Sequence, residues 1–507
     1  MLIEILFYIT IFLLGAFLSR WIFSSKTKLP PSPTKLPIIG HLHLLNNTPH
    51  QSFHKLCTRF GPLIHLRLGS VLCVVASTPE LVKEFLITNG LTFASRPNLI
   101  ALRLITYNGV GFGFAPYGPY WKFMKKVVTM ELVNERNLAQ MQYIRVDEIS
   151  QLMDLLLNKA SRGEEVNLSE EVSKLANNII SRMMLGIKFS GEDEQSSEIR
   201  KLARDVTAVI AQFNLADFIG FLRNIDLQGI QKKAKSIHVR YDSLLEKIMK
   251  ERVHKRINDN KDFLDMLLDI SEDTNAKIRL TRENIKAFMI DFLTAGTDTS
   301  GITVEWAMSE LINHPTILEK AKEEIASVIG KKRLVTESDI QSLPYLQAIF
   351  KETLRLHPPI PIYERESTQD CKIGGYDIPA NTILFVNNWA ISRDPMYWEN
   401  PLEFEPKRFM SEDGSQIDFR GQHFNLLPFG TGRRGCPGIS LASQVVPTVL
   451  ALLIQCFDWK IPSNDADVSP PNLVDMTELP GLTVPRAQPL VLIPSTRLIP
   501  FPTAMEL

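Results

Sequence analysis

Apolar residues fill nearly all of the first 23 positions of the chain, where the charged residues are Glu4 and Arg20. This run has about the 20-residue length that a helix needs to cross a bilayer. Arg20 lies near the end of the run, Lys26 and Lys28 follow it and no basic residue precedes it, so the positive-inside rule predicts that the rest of the chain is cytosolic. The alternative is a cleaved signal peptide, but a basic start and a small-residue cleavage site are lacking. The pattern therefore predicts a membrane anchor over residues 1–25.

The pattern changes at residues 26–40, which contain four closely spaced prolines. Prolines favour an extended, stiff backbone, so this stretch is predicted to be a hinge between the anchor and a globular part, residues 41–507. Beyond the hinge, apolar residues alternate over residues 63–77 on both sides of Gly69-Ser70. This alternation predicts a short pair of strands.

Helical periodicity dominates the rest of the chain, and several predicted helices begin at Ser, Thr or Pro and end at Gly or before Pro. No internal repeat, low-complexity segment or linker divides the globular part. The predicted helices span residues 169–185, 236–253, 282–311, 316–329, 344–356 and 439–456. The predicted fold class is mainly α with a small β-sheet subdomain, in one domain that is preceded by one N-terminal transmembrane helix.

Composition narrows the class of protein. The 507 residues include 56 Lys plus Arg and 56 Asp plus Glu, so no net charge favours binding to nucleic acid. The five cysteines are scattered and form no C-x-x-C pair. This arrangement argues against a disulfide framework or a structural zinc site and indicates a reducing compartment, but one cysteine with special chemistry remains possible.

Cys436 lies in the segment PFGTGRRGCPGIS, residues 428–440, among glycines and two arginines. Positive charge and free backbone N–H groups stabilise a thiolate, and glycines beside the sulfur leave room for a large flat ligand. The alternative is a buried free cysteine in a turn before a helix. The full pattern F-x-x-G-x-R-x-C-x-G resembles the haem-binding loop of the cytochrome P450 superfamily. It is matched at Phe429, Gly432, Arg434, Cys436 and Gly438.

This resemblance implies the cytochrome P450 fold, haem b as the cofactor and the thiolate of Cys436 as the axial ligand of its iron. It also implies that basic and aromatic side chains hold the two carboxylates of haem. Lys125 stands where many relatives carry arginine, which keeps the charge but loses the two-pronged hydrogen bonding. The residues expected to hold the carboxylates are Arg96, Trp121, Lys125, Arg365 and Arg434.

Two further segments resemble a second signature of the family. ETLR places Glu352 and Arg355 three residues apart on one predicted helix, and FEPKRF contains Arg408. Alone, the first pair is an ordinary surface ion pair. The resemblance implies instead a buried network of Glu352, Arg355 and Arg408 that supports the haem loop, in which loss of one charge leaves the others unpaired.

AGTDTS, residues 295–300, lies inside the longest predicted helix. One interpretation is purely structural, since Thr299 can bond back to the carbonyl of Ala295 in a buried helix. The same bond can open the helix locally and free a carbonyl for water or O2. The segment resembles the oxygen-activation motif of the family, which implies catalytic roles for Asp298 as the acid and Thr299 as the alcohol.

The resemblance also implies a substrate pocket of mainly aliphatic and phenylalanine side chains, suited to a flat or polycyclic apolar molecule. Such side chains at helical spacing are otherwise usual in a plain core. Gly296 and Gly301, where relatives carry alanine, are expected to make the pocket floor roomier. The predicted pocket residues are Phe213, Asn214, Phe288, Phe292, Ala295, Ile360, Tyr363 and Leu479.

The acid and alcohol favour a monooxygenase that uses O2 and NADPH, with NADPH-cytochrome P450 reductase as the electron donor and the endoplasmic reticulum membrane as the location. FAPYGPYWKFMKK and LPYLQAIFKETLRLHPP are similar to a plant subgroup that includes flavone synthase II, flavanone 2-hydroxylase, pterocarpan 6a-hydroxylase and beta-amyrin 24-hydroxylase. A flavonoid is therefore the expected substrate, with a pterocarpan or a triterpenoid as the alternative. A haem-thiolate isomerase or sensor that does not activate O2 is the alternative of a different class.

Overall fold

The computed structural model describes residues 27–187, 194–254, 261–275, 277–410, 417–462 and 473–502. The predicted membrane anchor, residues 1–25, lies outside the described residues. The proline-rich hinge is held against the domain, because the N–H of His65 donates to the carbonyl oxygen of Pro31 at 2.9 Å. The segment predicted to be a hinge is therefore in contact with the first strand near Pro31.

Helices make up most of the described chain, and the predicted helices are present with their bounds shifted by a few residues. The helices in chain order are α1 (Pro49–Phe60), α2 (Pro79–Lys83), α3 (Ile100–Ile105), α4 (Pro119–Lys126), α5 (Glu135–Gln140), α6 (Gln142–Arg162), α7 (Leu168–Leu185), α8 (Glu194–Ile210), α9 (Leu215–Phe218), α10 (Ile230–His254), α11 (Phe263–Glu272), α12 (Arg282–Asn313), α13 (Pro315–Val328), α14 (Pro344–Leu356), α15 (Asn388–Ile391) and α16 (Ile439–Cys456).

The strands form small sheets at the edge of the helical part. They are β1 (Leu63–Leu68), β2 (Val71–Ala76), β3 (Val166–Asn167), β4 (Ile362–Glu366), β5 (Cys371–Ile373), β6 (Tyr376–Ile378), β7 (Ile383–Asn387), β8 (Phe457–Lys460) and β9 (Val491–Thr496). The largest sheet has the order β1-β2-β7-β4, in which β2 and β7 are parallel and the outer pairs are antiparallel. The predicted strand pair is confirmed as the β1–β2 hairpin, with Leu68 opposite Val71 at its turn. A mainly helical fold with small sheets is confirmed.

The long helix α12 runs through the middle of the core. It begins with a capping box, in which Thr281 and Asn284 each accept a backbone hydrogen bond from the other. Residues on all of its faces are buried, so it lacks the single apolar stripe of a surface helix. Helices α7, α14 and α16 pack against it and place their side chains around its middle turns.

Two glycines allow α7 and α12 to approach closely. A Cβ atom at Gly296 would lie 2.6 Å from Cδ1 of Ile180, and one at Gly301 would lie 3.2 Å from the Cα of Ser173. Both values are shorter than a relaxed carbon–carbon contact. The expectation that Gly296 and Gly301 enlarge the pocket floor is therefore wrong, because the space beside them is filled by α7.

Among the described residues, one helix is long and apolar enough to cross a membrane by length and composition. This helix, α16, is mostly buried inside the domain. It is the core helix that follows the Cys436 segment, and it fixes the position of that segment against α12.

Candidate active site

A short loop connects a 3-10 turn, Gly432–Arg434, to the start of α16 and carries Cys436. The N–H of Cys436 donates to the carbonyl oxygen of Phe429 at 2.9 Å, which ties the two ends of the loop together. Gly432 has a φ of 69°, and a Cβ atom there would lie 2.7 Å from the carbonyl oxygen of Leu86. Only glycine fits such a position without strain, so this part of the sequence pattern has a local structural cause.

Cys436 borders a cavity of about 290 Å³, the cysteine cavity, which lies between α4, α12, α14, α16, β4 and the cysteine loop. Its thiol is exposed only in the sense that it faces this cavity. Burial raises the pKa of the Cys436 thiol, while the N–H of Gly438 and the ammonium of Lys125 lower it. Lys125 Nζ donates to the carbonyl oxygen of Gly435 at 3.2 Å. A metal ion bound at the sulfur would supply the further positive charge that a thiolate needs.

Three arginines line the cysteine cavity, and none of them forms an ion pair with a carboxylate of the described residues. They are held by backbone carbonyls instead. Arg96 donates to the carbonyl oxygen of Glu364 at 3.2 Å, and Arg365 donates to the same oxygen at 2.7 Å. Arg434 donates to the carbonyl oxygens of Ala94 and Ala115. Nε of Arg96 and one terminal nitrogen of Arg434 are buried without a hydrogen-bond partner.

Such a cluster fits an anionic ligand. Burial, together with repulsion from the Arg96 guanidinium, lowers the pKa of Arg434 to about 9. The pKa of Arg365 falls well below its usual value through burial and through repulsion from Arg96 and Arg434. Two carboxylates would neutralise these charges and pair the free nitrogens. Trp121 adds a flat surface, because its ring centre lies 4.3 Å from Cζ of Arg434. The thiol, the arginines and the aromatic wall together fit the edge and the iron of haem.

Helix α12 presents two faces to two different cavities. Ala295 and Thr299 line the cysteine cavity. Asp298 lines a larger, more open space of about 1020 Å³, the outer cavity, together with Arg204 and Thr207 of α8. Burial raises the pKa of the Asp298 carboxyl, while the Thr207 hydroxyl and the Arg204 charge lower it. The acid and the alcohol of AGTDTS are therefore neighbours in sequence that open onto separate spaces.

Thr299 Oγ1 donates to the carbonyl oxygen of Ala295 at 2.8 Å, which is the back-bond expected from the sequence. Helix α12 is nevertheless α-helical from Arg282 to Asn313. The expected local opening of the helix at this bond is therefore not present.

The predicted pocket residues separate into two groups. Phe288, Phe292, Ala295, Ile360 and Tyr363 line the cysteine cavity. Phe213 and Leu479 line the outer cavity instead. Asn214 is buried and lines neither space among the cavities described here; its Oδ1 accepts from the N–H of Ala216 at 3.1 Å and caps α9. Sequence spacing did not separate these groups, because the separation depends on where α8 and the C-terminal segment pack.

The Glu-Arg-Arg network is present and fully formed. Arg355 donates to both carboxylate oxygens of Glu352, at 2.6 and 2.7 Å, and both side chains have no exposed surface. Arg408 Nε reaches the same carboxylate at 3.0 Å. The remaining donors of Arg355 bind the carbonyl oxygens of Ser392, Pro401 and Glu403. The network ties α14 to the segment that leads towards the cysteine loop.

Sequence reasoning did not single out Asp291, which also lines the cysteine cavity. A signal was present, since Asp291 is an acid inside an apolar helix and lies at the i, i+4, i+8 spacing with Ala295 and Thr299. Arg204 was not singled out either, because its place beside Asp298 depends on the packing of α8 against α12.

The family profile described as Cytochrome P450 matches residues 30–484. The chain belongs to the cytochrome P450 family. Among curated relatives, Cytochrome P450 93B2 of Gerbera hybrida is 55% identical over 93% of this chain and 92% of its own length. The 3,9-dihydroxypterocarpan 6A-monooxygenase of Glycine max is 49% identical over 95% of this chain and 96% of its own length.

A solved structure agrees with this assignment. A zebra fish cytochrome P450 structure with progesterone matches with a TM-score of 0.77 at 27% identity, covering 89% of this chain and all of that one. This cytochrome P450 is thus a monooxygenase with haem b as its cofactor, a reductase partner that delivers electrons from NADPH, and a small organic substrate. The cysteine cavity, with its thiol and its unpaired arginines, fits that cofactor.

Proposed function

We propose that this cytochrome P450 hydroxylates a flavonoid, most specifically a flavanone at the carbon that leads to a flavone. The supporting observation is the apolar wall of the cysteine cavity, where Phe112, Phe288 and Phe292 accompany few polar groups. Flat aromatic side chains favour flat, polycyclic ligands. The pterocarpan monooxygenase, by its name, acts on a molecule of that kind.

The site residues have distinct roles in this proposal. Cys436 binds the iron, and Arg96, Arg365 and Arg434 pair with the two haem carboxylates, beside Trp121 and Lys125. Bound haem supplies the activation of O2 by electrons from NADPH. Phe429, Gly432 and Gly438 shape the loop that presents the sulfur.

Asp298 and Thr299 control the movement of protons. Asp298 faces the outer cavity, which contains the exposed side chain of Arg204 and is open to water. Its carboxyl takes up a proton from that water, because burial already favours the protonated form. Thr299 faces the other cavity, and rotation of its hydroxyl away from Ala295 directs a donor towards haem.

The proposed location is the endoplasmic reticulum membrane, with residues 1–25 as a single-pass anchor and residues 41–507 in the cytosol. The supporting observations are the length of the apolar run and the basic residues that follow it. The bilayer is then also the place where the reductase and an apolar substrate meet the enzyme.

The test is an assay of microsomes that contain the chain and a plant reductase. With NADPH and naringenin, the expected result is a product one oxygen atom heavier than naringenin, or the flavone formed from it by loss of water, identified by mass spectrometry. Unchanged naringenin together with oxidised beta-amyrin would assign the enzyme to triterpenoids and refute the flavonoid proposal. Omission of NADPH is the control for oxidation that does not depend on the enzyme.

A further inference from the structure

Asp291 is an acidic side chain in the wall of an otherwise apolar and basic cavity. Among the described residues that line the cysteine cavity, it is the one carboxylic acid. The N–H of Gly113 donates to Asp291 Oδ2 at 2.8 Å. The other oxygen, Oδ1, accepts no hydrogen bond from the described residues, and it is not sealed from the cavity. One acceptor therefore remains open where a substrate would bind.

The loop before α4 is built around this carboxyl group. A Cβ atom at Gly111 would lie 2.3 Å from Asp291 Oδ2, and one at Gly113 would lie 3.5 Å from it. The first distance shows that a larger side chain at Gly111 would displace the carboxyl from its position. The loop that contains Gly111 and Gly113 thus orients the Asp291 carboxyl group and leaves its Oδ1 free.

Several other polar groups of the cysteine cavity already have roles, whereas the Tyr363 hydroxyl is buried without a hydrogen-bond partner. The guanidinium groups of Arg96, Arg365 and Arg434 match the haem carboxylates. Thr299 and Thr303 bond back to carbonyl oxygens of their own helix. Burial raises the pKa of Asp291 to about 7, although the Gly113 N–H and the Arg96 charge oppose this. A carboxyl near half protonation can both donate and accept a hydrogen bond.

We propose that Asp291 recognises the substrate by binding one of its hydroxyl groups through the open carboxyl oxygen. This inference rests on the proposed function for the identity of the substrate, but it applies to any apolar substrate that carries a hydroxyl. Asp291 lies eight residues before Thr299 on α12, which is about 12 Å along the helix axis. The bound hydroxyl therefore belongs to a part of the substrate that is remote from the carbon being oxidised.

The test compares ligands that differ in hydroxyl groups, using the change in haem absorption on binding to measure dissociation constants. Naringenin carries ring hydroxyls and unsubstituted flavanone carries none. For the wild-type holoenzyme, naringenin is expected to bind roughly 2- to 13-fold more tightly, as one net hydrogen bond allows. Asp291→Leu is expected to reduce this ratio to about one, because the partner of the hydroxyl is gone.

Two further variants keep the test decisive. Asp291→Asn retains a donor and an acceptor at the same place, so it is expected to keep most of the wild-type ratio. Asp291→Ser keeps the cavity polar but is too short to reach the hydroxyl, and it is expected to lose the ratio as the leucine variant does. If the serine variant, or a folded leucine variant, keeps the wild-type ratio, the proposal is wrong.

A matched control separates recognition from anchoring of the loop. The same loop is also held by Tyr107, whose hydroxyl donates to Asp242 at 2.7 Å. Tyr107→Phe removes that anchor without touching the cavity, so it is expected to leave the ratio unchanged. If Tyr107→Phe and Asp291→Leu weaken both ligands by equal factors, Asp291 acts only as a loop anchor and the inference fails.

A second pair of ligands distinguishes this inference from the proposed function. Beta-amyrin carries one hydroxyl, and the corresponding hydrocarbon carries none. If neither flavanone binds but beta-amyrin binds more tightly than the hydrocarbon, and Asp291→Leu removes the difference, the flavonoid proposal fails while the inference stands. A wild-type enzyme that shows no hydroxyl preference in either pair refutes the inference.

Discussion

Thr299 is the residue through which the proposed delivery of protons can be tested most directly. Its hydroxyl lines the cysteine cavity, whereas Asp298 faces the outer cavity, so in the proposed function the alcohol is the donor on the haem side of the helix. Thr299→Ala is expected to lower product formation about 10-fold or more while NADPH consumption continues, because proton delivery is no longer directed. The electrons from NADPH that do not lead to product should instead reduce O2 to hydrogen peroxide.

The measurement is the ratio of product to NADPH consumed, with peroxide determined in the same sample. Thr303→Ala is a suitable control, since Thr303 lies one turn further along the same face and bonds back to the carbonyl oxygen of Thr299. It should keep coupling near the wild-type value. A Thr299→Ala enzyme with unchanged coupling would show that the Thr299 hydroxyl does not direct the delivery of protons.

Arg408 is a second residue with a strong expected effect. It contributes one of the two cations that neutralise the fully buried Glu352 carboxylate. Arg408→Ala is expected to lower the free energy of unfolding by about 3 to 5 kcal/mol, because it removes a partner of a buried charge. Lys407, on the same 3-10 turn, is exposed, so Lys407→Ala should change the stability by less than about 0.5 kcal/mol.

Thermal unfolding of both variants, followed by circular dichroism and by retention of haem, checks this prediction. Equal stability of the two variants would show that Glu352 is sufficiently neutralised by Arg355 alone.

At the scale of elements, the contact between α7 and α12 depends on glycine. Gly296→Ala adds a methyl group that would lie 2.6 Å from Cδ1 of Ile180. The gain in helix propensity is about 1 kcal/mol, but overpacking of a buried contact costs typically 1 to 3 kcal/mol, so net destabilisation is expected. Ile180→Ala removes the clashing atoms. The double variant is therefore expected to lose less unfolding free energy than the two single variants lose together. The expected difference is roughly 1 kcal/mol or more.

A double-mutant cycle on the thermal midpoint of the haem-loaded protein measures this coupling. Additive effects would mean that Ile180 rotates away at little cost. In that case the glycine would be needed for the shape of the cysteine cavity, which Gly296 also lines.

The sequence predicted local features well and relations between elements poorly. Helix α14 was predicted with its observed bounds, Pro344–Leu356, and the β1–β2 hairpin follows from alternation. These features depend on neighbours in sequence. The placement of Asp298 and Thr299 on different cavities, and of Phe213 and Leu479 away from Cys436, depends on which elements pack against each face. Periodicity predicts which face of a helix is apolar, but it does not predict which elements pack against that face.

The family motifs predicted some contacts between elements that periodicity could not predict. Arg408 is far in sequence from Glu352 and Arg355, and the resemblance alone indicated that it meets them. Asp291 belongs to none of the motifs quoted from the sequence. Its position became interpretable only when the loop at Gly111 and Gly113 was seen against it.

In the whole molecule, α12 is a partition between two environments. One side is apolar and basic and carries the thiol, and the other carries Asp298, Glu305 and Arg486 beside an opening to solvent. In the proposed function, this division allows a dry site for an apolar substrate and a wet route for protons to share one helix.

Two buried carboxylates connect distant parts of the fold and make its stability depend on pH. Glu478, in the C-terminal segment, accepts hydrogen bonds from His50 of α1 at 2.8 Å and from Trp389 of α15 at 2.9 Å. Burial would raise its pKa, but these bonds outweigh burial and lower it to about 2. Glu310 on α12 is similar: against burial, hydrogen bonds to His314 and His357 lower its pKa to about 2.

A carboxylate whose pKa is lower in the folded state stabilises the fold at pH values above its unfolded pKa, which is about 4.3. This contribution is lost as the pH falls from about 5 towards 2, because the folded protein must then bind the protons that the unfolded chain already holds. The loss for each group is on the order of 2 kcal/mol. Glu478→Gln cannot titrate, so it is expected to be less stable than the wild type at pH 7 and to approach it as the pH falls. Urea unfolding of both proteins at a series of pH values measures the difference, and a difference that stays constant from pH 7 to pH 3 would contradict the assignment of acid sensitivity to Glu478.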